Sequence, residues 1–288
     1  LLILGTIWGS SYLFIKVAVA EVPVMTLIAG RLLLAAIIMW ILLRALGLSM
    51  QRSRSLWRAY AVMGILSGTL PYSLIAWGEQ YIPSSLAALL QATMPIFTVI
   101  LAIFLADDEP MTWTRVLGVI VGFVGVGILM APDVRQGLQA NLVGQLAVVL
   151  SSASYAAAAI FARKRLRGQP PLASTTGQMT MGAIFTLPLS LLIDRPFDLS
   201  PSLPATASWL ALTVLGTVMA YIIYYALIER TSATFVSTVT YIIPIVGLVL
   251  GALVLGEPLT LVLAGSSVLI LLGVLLVRPG PTAGQTQH

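Results

Sequence analysis

The chain has no cysteine, and its only histidine, His288, is the last residue. Disulfides, thiolate metal sites and cysteine nucleophiles are thereby excluded, and imidazole chemistry has no residue to use inside the protein. Charge is scarce as well: 9% of residues are charged against 59% hydrophobic, and the mean hydropathy is +1.01. So little polar surface cannot cover a water-soluble globule of 288 residues, which makes lipid the main solvent. A net charge of +5 does not point to nucleic acid, because the basic residues flank apolar runs, where anchoring at a bilayer surface accounts for them. The sequence opens at Leu1 inside an apolar run and without methionine, so further N-terminal residues are expected and no targeting signal is read.

A bilayer core of about 30 Å takes about 20 apolar residues of helix, and the charged clusters leave gaps of that length. Apolar runs between charged or Pro/Gly punctuation predict spans near Leu1 to Ala20, Pro23 to Leu46, Trp57 to Gly78, Pro83 to Ala106 and Met111 to Met130. Five more lie near Ala140 to Ala162, Pro170 to Ile193, Ala205 to Ile228, Thr231 to Leu255 and Leu259 to Val277. The expected fold is therefore all-α, a polytopic membrane protein of ten helices. Basic loops stay cytoplasmic. Arg44, Arg52, Arg54 and Arg58 surround the loop after the second span, Arg163, Lys164, Arg165 and Arg167 surround the loop after the sixth, and Arg115, Arg230 and Arg278 fall on the same side, against Arg135 and Arg195 on the other. Both termini are thus expected in the cytoplasm, with a bacterial inner membrane as the location.

The two halves match at a shift of 148 residues: Pro23 with Pro171, Gly68-Thr69 with Gly216-Thr217, Glu109-Pro110 with Glu257-Pro258 and Gly125 with Gly273. Pro95 matches Pro244 at 149, which puts a one-residue insertion in Asp107-Asp108. A repeat of five spans, an odd number, must sit upside down on its partner. The expected division is 1–132, an inverted second unit 133–278, and a tail 279–288. Inverted repeats are the architecture of alternating-access carriers, with the solute held near the midplane where the units meet.

Trp8-Gly9-Ser10-Ser11 with Lys16, Pro23 with Arg31, Ser84 to Pro95 leading to Glu109-Pro110, and Thr231 to Pro244 leading to Gly256-Glu257-Pro258 carry a family resemblance. In that order and spacing the chain resembles the drug/metabolite transporter superfamily, in particular its EamA-type ten-helix exporters, over nearly its whole length. It departs at Ser152, where the family often has tryptophan, and at Glu79, where an apolar residue is more usual; both bear on substrate choice rather than fold. The resemblance implies export of small metabolites, amino acids and especially neutral or aromatic ones, ahead of nucleotide sugars or drugs.

Arg31 lies about eight residues inside its span, where a charge facing lipid costs at least about 2.5 kcal/mol, so it is expected to face the interior. There it serves either to attract a carboxylate or gate the path, or to bond carbonyls at a helix break. Gln178 takes nearly its place in the second unit. Lys16, nearer its helix end, is expected to snorkel. Pro95 and Pro244 fall roughly 18 to 20 Å into their helices at 1.5 Å per residue and free the carbonyls of Gln91 and Thr240. The fourth and ninth spans are therefore expected to bend and turn backbone toward the transport path, a packing kink being the alternative. Trp8, Ser11, Tyr12, Tyr72, Tyr155, Tyr221, Tyr224 and Tyr241 are expected to line the cavity, since a buried tyrosine needs a polar partner; plain packing is the alternative for each. Trp57, Trp77, Trp113 and Trp209 read as an interfacial belt. The fifth span holds Gly118, Gly122, Gly125 and Gly127, and Gly118-xxx-Gly122 is a close-packing word used within a subunit more often than between subunits, which leaves monomer and homodimer both open.

The carboxylates all fall in loops or at helix ends, so no buried acid is expected to couple transport to protons; Glu79, beside the cavity mouth, is the one that bears on this and is assigned with the two prolines to gating. Glu109 and Glu257 precede proline at helix starts and read as favouring the dipole there. No cofactor or metal is expected. An intramembrane enzyme, the remote alternative, would need an activated nucleophile, a metal or a carboxylate pair at depth, for which a serine with Lys16 is the one dyad the sequence offers; a channel would need a charged ring or filter loop, and neither is evident.

Overall fold

The computed structural model of the chain describes residues 1–51, 53–105, 112–231, 235–236 and 238–277, with the side chains of 105, 228 and 229 set aside. Asp107, Asp108, Glu109, Pro110, Arg52, Arg278 and the tail 279–288 lie outside these. The described residues form ten apolar helices, eight of them long enough to cross a membrane: α1 Leu2–Val19, α2 Val24–Ala45, α3 Arg54–Gly78, α4 Ser84–Phe104, α5 Trp113–Gln136, α6 Gln139–Arg165, α7 Pro171–Asp194 and α8 Leu203–Leu227. The shorter pair is α9 Val239–Leu255 and α10 Leu261–Val277. α5 runs six residues past the expected end at Met130, because Pro132, Asp133 and Arg135 fit a last helical turn that Gly137 closes at φ 67. The charges there mark a membrane surface, not a helix end.

The packing is almost wholly between halves. α2 lies on α7, α5 on α10, and α4 on α9, while α1 packs on α8 and α9 just as α6 packs on α3 and α4. Exchanging each helix with its counterpart five places on returns the same set of pairs. This is the pseudo-twofold relation of two inverted five-helix repeats. Glycine permits the closest of these contacts. A Cβ on Gly273 would lie 2.6 Å from Gly122 N and 2.7 Å from Gly118 O, so the glycine face of α5 is spent inside the chain, against α10.

At the end of the bundle opposite the arginine-rich loops, acids cross from one half to cap helices of the other. Thr26 of α2 donates from N and Oγ1 to Asp194 Oδ2 at 2.7 and 2.9 Å. Ser202, the N-cap of α8, donates to Glu21 from N and Oγ, both at 2.6 Å. Ser84 N and Oγ donate to Glu257 Oε1 at 2.7 and 2.9 Å, and Ser85 N to its Oε2 at 2.9 Å. The expectation that Glu257 serves its own helix is corrected: α10 begins four residues later, and the carboxylate turns across to the free N–H groups of α4, where the helix dipole favours it.

Candidate functional site

Departures from regular helix geometry in α3, α8 and α4 build the site. α3 and α8 each contain a π-helical turn, Gly64–Thr69 and Val214–Met219, at the repeat-related words Gly68-Thr69 and Gly216-Thr217. A π turn inserts one residue and rotates the rest of the helix about its axis. Here it brings Ser67 and Gly216 to a central cavity of about 430 Å³, within the range of small-molecule pockets. Gly216 is packed on Ser11, whose Oγ a Cβ there would meet at 2.8 Å.

The third departure is the break in α4. The chain leaves helical geometry at Ala92-Thr93 and resumes at Met94, one residue before Pro95. Thr93 Oγ1 donates to Leu90 O at 2.7 Å, and Ser152 Oγ of α6 lies 3.3 Å from Leu90 O and 3.4 Å from Gln91 O. Pro95 has no N–H for Gln91 O, and the Ser152 hydroxyl is the group that reaches that carbonyl, which lets the break be tolerated in an apolar helix. Gln91 itself lines the cavity, with Oε1 2.7 Å from Ser151 Oγ. The second unit differs. α9 runs unbroken through Pro244, and the turn falls at Thr238, before the helix begins. The expected bend at Pro244 is therefore displaced by more than a turn, although Thr240 does line the cavity.

Arg31 is 4% exposed. Its Nε donates to Thr217 Oγ1 at 2.9 Å, and its Cζ sits 3.8 Å from the centroid of the Tyr72 ring, a cation–π distance. Thr217 in turn reaches Leu212 O at 3.3 Å. No carboxylate oxygen lies within ion-pair distance of this guanidinium among the described residues. A buried cation thus faces the cavity with one hydroxyl and one aromatic face as its partners. Gln178, its counterpart on α7, also lines the cavity, and its Oε1 lies 3.1 Å from Ser67 Oγ.

Around this cation the wall is aromatic. Trp8 meets Tyr221 edge-on at 6.4 Å and Tyr224 at 5.6 Å; Tyr72 and Tyr155 lie 6.3 Å apart; Ser11 and Tyr12 complete the α1 side. Tyr225 belongs to the same wall, 5.3 Å from Tyr224, and its hydroxyl bonds Thr175 Oγ1 at 2.8 Å. It was absent from the expected set, although 221, 224 and 225 share a helix face by spacing. Tyr241 does not join them. Its ring packs with Ile96, Val99, Val274 and Val277, and its hydroxyl lies 3.5 Å from Val274 O. The lining runs from Ile15 and Ile75 at depth to Ala162 and Val236, close to the arginine-rich end of α6 and the start of α9. At the opposite end Val19, Val22, Val24, Ala76 and Ile82 are buried in the core.

Two charged residues take unexpected places. Lys16 does not snorkel: Nζ donates to Glu79 O at 2.5 Å and to Ile82 O at 2.8 Å, carbonyls of the C-cap and the turn that follow α3, where a cation suits the helix C-terminus. Glu79 is fully buried, 0% exposed, so the expectation that no acid is buried is overturned. Its position at a helix end suggested solvent; the packing of α1 and α6 over that end removes it. Trp209 is likewise no belt residue. Its indole N–H donates to Leu27 O at 2.9 Å, and the ring presses on Gly30.

A polytopic helical bundle with an inverted repeat and a partly polar central cavity defines a membrane transporter. The chain belongs to the EamA-like transporter family, whose model matches residues 1–131 and 142–278; it is not an enzyme. An "Uncharacterized transporter" of Archaeoglobus fulgidus is 30% identical, covering 94% of this chain and 95% of its own. A "Probable terminal-alkyne amino-acid exporter" of Streptantibioticus cattleyicolor is 31% identical over 94% of this chain and 89% of its own. The "Uncharacterized inner membrane transporter YedA" of Escherichia coli K12 is 25% identical over 95% and 88%. A solved crystal structure with a TM-score of 0.68 and 17% identity covers 95% of this chain and 93% of its own, a likeness of fold.

Proposed function

We propose that the protein exports neutral amino acids, aromatic ones included, by alternating access of this cavity between the two membrane faces. The units that exchange are 1–132 and 133–278, and the arginine-rich end is the cytoplasmic one, so both termini lie in the cytoplasm of a bacterial cell. The observation that carries the reading is Arg31. A buried guanidinium with no acid beside it offers an incoming carboxylate two parallel hydrogen bonds. The tyrosines and Trp8 suit an apolar or aromatic side chain, and an ammonium over a ring face. Gln91 and Gln178 supply uncharged hydrogen-bonding groups. The name of the Streptantibioticus cattleyicolor relative, "Probable terminal-alkyne amino-acid exporter", supports the same class of cargo.

Counterflow of labelled phenylalanine, tryptophan, threonine and methionine in liposomes of purified protein, with empty liposomes alongside, tests the reading. Saturable movement of the aromatic members, lost in Arg31→Ala or Gln91→Ala, is expected. Movement of none of the four shifts the cargo to nucleotide sugars, lipid precursors or drugs.

A further inference from the structure

Glu79 follows the last helical turn of α3, its N–H bonded to Ile75 O at 2.9 Å, and its side chain is 0% exposed. Neither carboxylate oxygen has a hydrogen-bond partner among the described residues. Lys16 is close, but its ammonium donates to the backbone carbonyls of Glu79 and Ile82, and no ion pair within 4 Å joins it to the carboxylate among the described residues. An ionised carboxylate shut away from water with no donor is among the costliest arrangements in a protein, whereas the neutral acid costs far less.

The charged and titratable groups around it do not reverse this. From α1 come Lys16, which favours the charged form, and Tyr12, whose hydroxyl is within electrostatic reach of both Glu79 and Arg31 of α2. From the loop before α10 comes Glu257, which opposes the charged form and is itself bonded to Ser84 and Ser85 at the start of α4. On α6, Gly144 packs against Gly78 O, and Asn141 and Gln145 donate to Asp133 of α5. Burial leads this balance and pushes the Glu79 carboxyl well above the usual carboxylate range, with Lys16 opposing and Glu257 reinforcing.

We propose that Glu79 is a proton-binding site tied to closure of the external end: it carries a proton while that end is shut and gives it up when the end opens. The inference rests on the alternating-access reading, which requires the end where Glu21, Asp194 and Glu257 now bridge the two halves to open. Once water reaches the carboxyl, its pKa returns toward about 4.3 and the proton leaves to the outside. Closing takes one back from the same side, so the proton is bound and released without crossing the membrane. Linkage sets the direction: a group whose pKa is higher in the closed form favours that form as pH falls, by up to about tenfold per pH unit between the two pKa values. External acid therefore holds the protein shut.

The absence of native cysteine allows a test that needs no cargo and so stands apart from the amino-acid reading. Single-cysteine chains carrying Ile82→Cys, buried at the closed end, or Gln80→Cys, exposed beside it, are reconstituted in liposomes. They are labelled from outside with a membrane-impermeant maleimide between about pH 8 and about pH 5, above the ordinary carboxylate range. The ratio of the two rates cancels the pH dependence of thiol chemistry. It is expected to fall severalfold with acid in the Glu79 chain, to lie low and flat in Glu79→Gln, and to keep its slope in Glu79→Asp, which also guards against a folding defect in the glutamine variant. A ratio that does not change with pH, no labelling of Ile82→Cys at any pH, or an unchanged slope in Glu79→Gln overturns the proposal.

Discussion

Arg31→Met separates cargo binding from folding. The guanidinium is buried but makes one hydrogen bond, to Thr217, and one ring contact, to Tyr72. Methionine keeps an unbranched side chain of similar reach. Thr217 retains Leu212 O as a partner, so the substitution strands no other charge. Replacing such a buried ion by an apolar residue is often neutral or stabilising for the fold. Cargo binding is another matter: hydrogen bonds to a charged group contribute about 1.5–3 kcal/mol, which is about tenfold to about a hundredfold in affinity at 1.4 kcal/mol per decade. Arg31→Lys keeps the charge but loses the planar fork and the Thr217 geometry, and should fall between. Titration of purified protein with phenylalanine, followed by calorimetry, measures the affinities, and thermal unfolding in the same detergent measures the fold. Unchanged affinity in Arg31→Met would refute the carboxylate site. A large drop in melting temperature with affinity retained would make Arg31 a structural residue.

The packing and the caps carry further predictions. Gly273→Ala, whose Cβ would meet the backbone of α5, should destabilise by about 1–3 kcal/mol through overpacking, whereas Gly127→Ala in the same helix pair, with nothing within 4 Å, should be neutral or gain up to about 1 kcal/mol in helix propensity; melting curves in detergent compare the two. Glu257, outside the spans, is held below the ordinary carboxylate range: burial alone would raise it, but hydrogen bonds from Ser85 and Ser84 outweigh that. A depressed carboxyl contributes stability above its ordinary pKa and loses it as pH falls through the lowered value. The difference in melting temperature between the parent chain and Glu257→Gln should thus stay level near neutrality, with the variant less stable, and shrink below about pH 4. Trp209→Phe removes the bond to Leu27 O and should cost about 1 kcal/mol, a loss a lipid-facing belt residue would not show.

What was legible in the sequence is what depends on local pattern. Apolar runs bounded by arginine marked the ten helices, and short words such as Gly68-Thr69 and Gly216-Thr217 marked the repeat, because a twofold fold imposes the same turn twice. Arg31, Gln91, Gln178 and most of the tyrosines are brought to one cavity because polar residues at mid-span have few other places to go. The rest depends on which helix covers which, and spacing within one helix cannot show that. Glu79 sits at a helix end, yet α1 and α6 cover it. Glu257 stands before a proline, yet serves a helix of the other half. Trp209 lies near a helix terminus, yet fills the space above Gly30. Tyr241 has the depth of a cavity residue but points to the α10 side, and Pro244 is accommodated by a helix that turned earlier, at Thr238.

The central claim, that Arg31 receives the carboxylate of an amino acid in an aromatic cavity, is tested most directly by competition. Labelled phenylalanine is followed in counterflow with excess unlabelled phenylalanine, 3-phenylpropanoate or phenethylamine, which carry both charged groups, the carboxylate alone and the ammonium alone. Phenylalanine and phenylpropanoate should compete, and phenethylamine should compete weakly, with the difference abolished in Arg31→Met. Stronger competition by phenethylamine, or equal competition by all three that persists in Arg31→Met, would contradict the account.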